Sequence, residues 1–316
     1  MIFSCQRGMD VIPYKRKLWI DLEGVAPMML MIQNDRLCLT VDTLGAQMMS
    51  LRSSEGIEYL WQGDPAYWPD RAPVLFPFIG RLTKNSYLYR GKKYPMEIHG
   101  FASKMEFEPV EQGCDYLVLE LKSTIVTLVR YPFDFTLRII YALNGNKVEI
   151  GYFVENRSDR HMPFGIGGHP GFRVPLLDGE AFEDYELEFT LPCQPDRVGF
   201  TPSVYLSSHD EPYPFQKKLD LRHDLFDEDA VILKNMSREI TLRSKISHRG
   251  VCVSYPEMPY LGIWHWPKTD APYVCIEPWS SLPSRQDVVE EFSCKSDMIQ
   301  LPPRKTYENQ WSITVF

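Results

Sequence analysis

The chain has 316 residues, of which 44% are hydrophobic and 24% charged, and its formal net charge is −8. This composition is typical of a folded globular protein, and the acidic balance argues against partners such as nucleic acid or an anionic membrane, which require a basic surface. No apolar run approaches the roughly 18 residues that span a bilayer, and no signal peptide is recognisable.

The first 28 residues differ from the rest, because they mix basic and isolated apolar residues without a clear period. We interpret residues 1–28 as an N-terminal extension, either disordered or an over-extended start, since Met28, Met29 and Met31 are alternative start positions. No linker or internal repeat divides residues 29–316, which are therefore expected to form a single domain.

The sequence from residue 29 onward has the pattern of β-structure. Arg90-Gly91 and Asn144-Gly145 each lie between runs of strand-forming residues, a pattern that predicts two β-hairpins. Helical periodicity is weak, and 25 prolines disfavour long helices. The fold class expected is all-β, a large antiparallel sandwich with a ligand site on a concave face or at a loop-lined mouth. The predicted strands include residues 87–89, 116–121, 135–141, 147–154, 186–189, 240–242, 251–254, 273–276 and 311–316.

The glycine-rich stretch FGIGGHPGF at residues 164–172 does not fit a nucleotide-binding loop, because Pro170 occupies the sixth place of a G-x-G-x-x-G pattern. No P-loop, no G-x-S-x-G motif and no histidine pair with zinc-site spacing occurs. The seven cysteines form no C-x-x-C pair, which favours reduced thiols and a cytoplasmic location. No metal or cofactor is predicted.

Acid–base catalysis is the class of chemistry that these missing motifs leave open. Arg81 follows a nearly apolar stretch, His99 and His169 lie beside glycine, and Glu277 ends an apolar strand run. Each residue alone has a structural interpretation as a surface charge, a turn histidine or a salt-bridge partner. Together they supply an acid, a base and a guanidinium donor in an apolar-walled pocket. Aromatic residues near these motifs, including Phe78, Phe172 and Trp279, are candidates for the apolar walls.

Four segments, FPFIGRL (76–82), IHGFA (98–102), GGHPGF (167–172) and CIEPW (275–279), resemble the aldose 1-epimerase (galactose mutarotase) family in their order along the chain. The resemblance is greatest to the LacX-type bacterial branch and runs from about residue 30 to the C-terminus. It implies the galactose mutarotase-like supersandwich and a cofactor-independent isomerase that interconverts the α and β anomers of a hexose.

Residue by residue, the resemblance implies that His169 is the general acid that protonates the sugar ring oxygen. Glu277 matches the general base that takes the proton of the anomeric hydroxyl, and His99 the second histidine near the ring oxygen. Arg81 matches an arginine that holds sugar hydroxyls, and Phe78, Phe172 and Trp279 are expected to pack on the apolar faces of the sugar. The family also uses an aspartate, for which Asp229 is favoured over Asp227 because it directly precedes an apolar run.

Two alternatives remain. A hexose-6-phosphate 1-epimerase would need a further cation, for which Arg71, Lys84 and Arg173 are candidates. A non-catalytic carbohydrate-binding protein of the same fold would be expected to lack His169 or Glu277, and this chain has both. The motif histidines lie in Ile-His-Gly and Gly-His-Pro, whereas better-known galactose mutarotases have asparagine beside these histidines. The resemblance therefore does not identify which sugar is the substrate. The expected partner is a small-molecule sugar, and monomer and homodimer both remain open.

Overall fold

The computed structural model describes residues 28–207, 209–214 and 217–316. Except for Met28, the predicted N-terminal extension lies outside the described residues. None of the helices in the described part is long and apolar enough to cross a membrane. The six cysteines within it are free thiols.

The described residues form 24 strands joined by short turns and loops. One α-helix, α1 (Ile125–Arg130), was not predicted; it begins after Thr124, whose side chain accepts the N–H of Thr127. Short 3₁₀ helices span Thr83–Asn85, Ala102–Lys104, Phe182–Asp184 and His223–Phe226. The strands are β1 (Met29–Gln33), β2 (Leu37–Asp42), β3 (Gln47–Ser53), β4 (Val74–Leu75), β5 (Ser86–Tyr89), β6 (Lys92–Pro95), β7 (Glu108–Gln112), β8 (Tyr116–Lys122), β9 (Phe135–Asn144), β10 (Lys147–Asn156), β11 (Met162–Phe164), β12 (Gly167–Gly168), β13 (Gly171–Arg173), β14 (Tyr185–Phe189), β15 (Asp196–Arg197), β16 (Glu211–Pro212), β17 (Lys218–Asp220), β18 (Val231–Lys234), β19 (Glu239–Ser244), β20 (Gly250–Ser254), β21 (Tyr260–Trp264), β22 (Tyr273–Trp279), β23 (Ile299–Leu301) and β24 (Thr306–Val315).

Two large sheets dominate the architecture. A nine-stranded sheet has the order β17-β14-β19-β20-β24-β10-β9-β8-β7, and an eight-stranded sheet has the order β16-β15-β18-β21-β22-β12-β4, with β13 also paired to β22. A three-stranded sheet (β1-β2-β3) and the pairs β5-β6 and β11-β23 complete the fold. Neighbouring strands in these sheets pair antiparallel, which confirms the predicted all-β antiparallel sandwich.

Both predicted hairpins are present. In the first, Arg90 and Gly91 both have positive φ, at 52° and 75°, as a two-residue type I′ turn requires. In the second, Asn144 pairs with Lys147 across the turn, and Gly145 has a φ of 60°. The local turn chemistry therefore sets the register of the longest strand pair, β9 and β10.

The main hydrophobic core draws side chains from both large sheets, which shows that the sheets pack face to face. Strand β22 contributes Val274 and Ile276 to this core. Because side chains alternate along a strand, Cys275, Glu277 and Trp279 lie on the opposite face of the eight-stranded sheet. The sequence placed Glu277 at a strand end, and this was wrong: β22 continues to Trp279 because its residues 275–279 pair with β21.

Candidate active site

The outer face of the eight-stranded sheet carries two small apolar clusters, separate from the main core. One contains Trp61, Trp68 and Tyr273 together with Cys275, and the other contains Ile232 and Trp279. Glu277 lies between Cys275 and Trp279 on β22, so its carboxylate is flanked by both clusters. The outer face therefore offers an apolar-walled site with a carboxylate at its floor.

His169 completes this site. It follows β12, which pairs with β22, and its Nε2 lies 3.2 Å from Oε2 of Glu277. Both side chains are largely buried, at 10% and 2% exposed. Nδ1 of His169 and Oε2 of Glu277 have no aligned hydrogen-bond partner among the described residues. Buried polar atoms are normally satisfied, and unpaired ones at a buried acid–base pair are typical of a functional site.

Burial shifts both groups toward their neutral forms. Desolvation raises the pKa of Glu277 well above its ordinary value; the Trp279 indole opposes this shift and the charge of Asp229 adds to it. Desolvation also lowers the pKa of the His169 imidazole well below its ordinary value, and the neighbouring His99 adds to the shift. The pair is therefore favoured in states with no net charge, in which one proton is shared between Glu277 and the imidazole.

Glycines allow the strand before His169 to pack this closely. A Cβ on Gly167 would lie 2.7 Å from the carbonyl oxygen of Pro278, and one on Gly168 would lie 2.6 Å from the Trp311 ring. A side chain at either position would force β12 away from β22 or from the nine-stranded sheet behind it. The glycine-rich stretch is thus explained by close backbone approach, which brings His169 to Glu277.

His99 lies beside the pair, with its ring centroid 5.5 Å from that of His169. It has a left-handed φ of 62°, and its Nδ1 accepts the backbone N–H of Gly80 at 3.1 Å. This hydrogen bond places the proton of the neutral ring on Nε2. Burial, with the charge of Arg81 next, lowers the pKa of His99 to about 4, so the ring is a neutral hydrogen-bond donor at neutral pH.

Arg81 and the two aspartates lie at the edges of the site. Arg81 is exposed, and it follows Gly80, whose N–H and carbonyl are both hydrogen-bonded to His99, so it lies on that side of the site. The charge of Asp229 raises the pKa of Glu277. The charge of Asp227 acts instead on the pKa of His265, which is not part of the site. Of the two aspartates left open by the sequence, Asp229 is therefore the one beside the carboxylate. Its φ of 79° and its hydrogen bond to the N–H of Ala230 fix its position.

Two tryptophans that sequence reasoning missed form the wall behind His169. The Trp68 ring lies 4.8 Å from the imidazole at 31°, and the Trp264 ring meets it edge-on at 5.6 Å. Trp264 had a readable signal, since Tyr260, Gly262 and Trp264 alternate along one face of β21. Trp68 comes from a loop and had none.

The three predicted aromatic contacts separate into two kinds. Trp279 lies in the site, with its ring centroid 6.4 Å from that of His99. Phe78 and Phe172 do not reach it, because both are fully buried in the main core. Phe78 stacks on Phe292 at 5.3 Å, and Phe172 pairs with Val274, which faces the core. The expectation that a sugar packs on these two rings is corrected.

One group of potential metal ligands occurs among the described residues: donor atoms of His169, Cys275 and Glu277 all lie within 4.8 Å of one another. Burial and the charge of Glu277 raise the pKa of the Cys275 thiol well above its ordinary value. In the metal-free protein the thiol is therefore protonated, and the other two members of the group are the His169–Glu277 pair already in contact at 3.2 Å.

Comparison with known proteins identifies the family to which the chain belongs. The model of the family described as aldose 1-epimerase matches residues 28–313. The plasmid-encoded protein LacX of Lactococcus lactis subsp. lactis is 34% identical over 298 residues, covering 91% of this chain and 99% of LacX. A galactose mutarotase-related enzyme of Lactobacillus acidophilus has a TM-score of 0.88 at 34% identity, covering 92% of this chain and 97% of that one. A galactose mutarotase-like protein of Lactobacillus casei has a TM-score of 0.86 at 29% identity, covering 92% and 100%. The chain therefore belongs to the aldose 1-epimerase family.

Proposed function

We propose that the protein is an aldose 1-epimerase that interconverts the α and β anomers of a free hexose. Membership of the family supports a sugar epimerase or mutarotase kind of function. The single observation that carries the finer proposal is the 3.2 Å contact between His169 Nε2 and Glu277 Oε2 on an apolar-walled face. The two oxygens of a cyclic hemiacetal, O1 and O5, are bonded to the same carbon, so an acid and a base at this separation reach both.

Ring opening requires two coupled proton transfers. The Glu277 carboxylate takes the proton of the O1 hydroxyl, and the O1–C1 bond becomes the aldehyde carbonyl. The C1–O5 bond breaks, its electron pair goes to O5, and the protonated His169 donates its Nε2 proton to O5. Rotation about C1–C2 and the reverse transfers close the ring on the other face. No atom is lost and no oxidant or covalent intermediate is needed.

The electrostatics of the site fit this proton transfer. Before ring opening the pair holds its shared proton on His169, and afterwards on Glu277, so its net charge is zero throughout. Burial, which raises the pKa of Glu277 and lowers that of His169, favours the neutral form reached after ring opening. Positioned proton transfer of this kind typically contributes about 10²–10⁴-fold.

The surrounding residues supply binding. His99 offers its Nε2–H as a neutral donor near the ring oxygen, because its Nδ1 is occupied by Gly80. Arg81 has no ion pair within the described part of the chain and is assigned to sugar hydroxyls. Asp229, on the other side of Glu277, is assigned to hydroxyls farther from the anomeric carbon. Trp279 and Trp264 provide apolar surface for a pyranose face.

A free sugar is favoured over a hexose 6-phosphate because one of the cations considered for a phosphate is already engaged. Nη1 of Arg71 donates to the Met49 carbonyl at 2.5 Å and to Gln62 Oε1 at 2.8 Å. A phosphate would have to displace these contacts. The other two candidates, the exposed Lys84 and the half-buried Arg173, do not form a phosphate-binding pocket with described residues.

The test is polarimetry of freshly dissolved α-D-glucose, α-D-galactose and their 6-phosphates with purified protein. The proposal expects faster approach to anomeric equilibrium with a free hexose. Acceleration confined to the 6-phosphates would replace it with the phosphate-specific enzyme. No acceleration of any of the four sugars would reject catalysis and favour a carbohydrate-binding protein.

A further inference from the structure

The face of β21 that lines the site has a gap between two aromatic residues. Tyr260, Gly262 and Trp264 alternate on this face, directly opposite Trp279, Glu277 and Cys275 of β22. Residues directly opposite in an antiparallel pair share a face and nearly touch. The position facing Glu277 is thus the one without a side chain.

Space, rather than backbone conformation, accounts for this glycine. Gly262 does not have the positive φ that favours glycine in turns. A Cβ there would lie 3.2 Å from Cβ of Glu277, 3.2 Å from the Trp279 ring and 3.3 Å from Cδ1 of Ile232. These approaches are tighter than ordinary van der Waals contact. A methyl group at this position would crowd Glu277 and Trp279 on the face that carries the site.

The strand order indicates which part of a sugar uses this space. β22 lies between β21 and β12, so Gly262 and His169 lie on opposite sides of Glu277. The anomeric carbon is bonded to O1, O5 and C2. With O1 at Glu277 and O5 toward His169, C2 lies on the side of C1 away from His169, which is the side of β21. Asp229 lies just before β18, the next strand beyond β21, where hydroxyls farther along the ring would extend.

We propose that Gly262 is a specificity-determining residue, whose missing side chain makes room for C2 of the hexose and its hydroxyl. The inference rests on the proposed function, because it takes the anomeric hydroxyl to lie at Glu277. It predicts that the preferred substrates are aldoses with a hydroxyl at C2. This side of the sugar would lie over the backbone of Gly262.

The test compares Gly262→Ala with Gly151→Ala, using D-galactose and 2-deoxy-D-galactose, with the corresponding glucose pair in parallel. Gly151 is a matched control: it lies in the interior of β10, and a Cβ there would lie 3.2 Å from Cβ of Ile140 on the far face of the nine-stranded sheet. The parent and 2-deoxy sugars are compared on the same variant, so a loss of folded protein cannot imitate the result. Thermal unfolding of each variant is recorded alongside.

We expect Gly262→Ala to lower kcat/KM for the parent hexose at least about tenfold, and for the 2-deoxy sugar about threefold or less. Gly151→Ala should change neither by more than about twofold. If Gly262→Ala does not fold, Gly262→Ala/Ile232→Val removes the nearest Ile232 carbon while keeping the new methyl group in the site.

Three results would overturn the inference. Wild-type kcat/KM in Gly262→Ala, or equal losses on parent and 2-deoxy sugars, would reject the C2 placement and leave the proposed function intact. Equal losses in Gly151→Ala would assign the effect to general sheet strain. Wild-type protein that accelerates no sugar would instead reject the proposed function, and this inference with it.

Discussion

Nε2 of His169 and Oε2 of Glu277 lie 3.2 Å apart on the outer face of a sandwich sheet, although the two residues are 108 positions apart in the sequence. Close packing of β12 on β22 produces this contact, and it depends on Gly167 and Gly168. The same burial that makes the pair costly to charge makes it suited to moving a proton between two oxygens of one substrate.

Glu277→Gln should change how the stability of the protein depends on pH. A carboxyl whose pKa is raised in the folded state binds more protons there than in the unfolded chain, so its contribution to stability falls as pH rises between the unfolded and folded values. The glutamine variant lacks this dependence. In urea unfolding at pH 6.5–8, the free energy of unfolding of the variant should increase relative to that of wild type by up to about 1.4 kcal/mol per pH unit. A difference independent of pH would contradict the raised pKa.

The two neighbouring aspartates provide a matched pair. Asp229→Asn removes a charge that raises the pKa of Glu277, so the acid limb of the kcat/KM–pH profile should move to lower pH. Asp227→Asn should leave that limb in place, because the charge of Asp227 acts on His265. Measuring mutarotation across pH for both variants tests the assignment. Equal shifts in the two variants would contradict this assignment, and a shift only in Asp227→Asn would reverse it.

His99 should tolerate asparagine better than alanine. His99→Ala leaves the buried N–H of Gly80 without its acceptor, which should cost about 1–3 kcal/mol in the free energy of unfolding, and removes the donor near the ring oxygen. Asparagine accepts the positive φ of 62° and retains an amide acceptor and donor. Activity and unfolding are measured for both variants, and equal losses would contradict the expectation that an amide can replace the imidazole as acceptor for Gly80 and as donor to the sugar.

Phe172 and Trp264 distinguish core packing from the wall of the site. Phe172→Leu should lower the free energy of unfolding by about 1–3 kcal/mol while leaving KM unchanged, because the ring lies in the main core. Trp264→Leu should lower kcat/KM about tenfold or more through loss of the wall against His169. A raised KM in Phe172→Leu would restore the original expectation that this ring contacts the sugar.

Different parts of the structure were predictable to different degrees. Hairpins at Arg90-Gly91 and Asn144-Gly145 follow from local turn chemistry, and the family motifs contain His169, Glu277 and His99. Side-chain direction was harder to predict. Phe172 lies close to His169 in sequence, yet its partner Val274 faces the core, and only the strand pairing shows this.

The aromatic wall and the gap at Gly262 could not be read from the sequence for the same reason. Trp68 reaches His169 from a loop about 100 residues earlier, and Gly262 becomes meaningful only once β21 is known to pair with β22. Contacts between distant segments depend on sheet order, which no local pattern specifies. The extent of the N-terminal extension, the single-domain boundary, the oligomeric state and the cytoplasmic location stay predictions.

The most direct measurement is polarimetry of the preferred hexose with wild type, His169→Ala and Glu277→Gln, each shown to be folded by thermal unfolding. The account predicts that wild type accelerates mutarotation and that each folded variant loses about 10²–10⁴-fold of that activity. Folded variants that retain wild-type rates would contradict proton transfer by this pair.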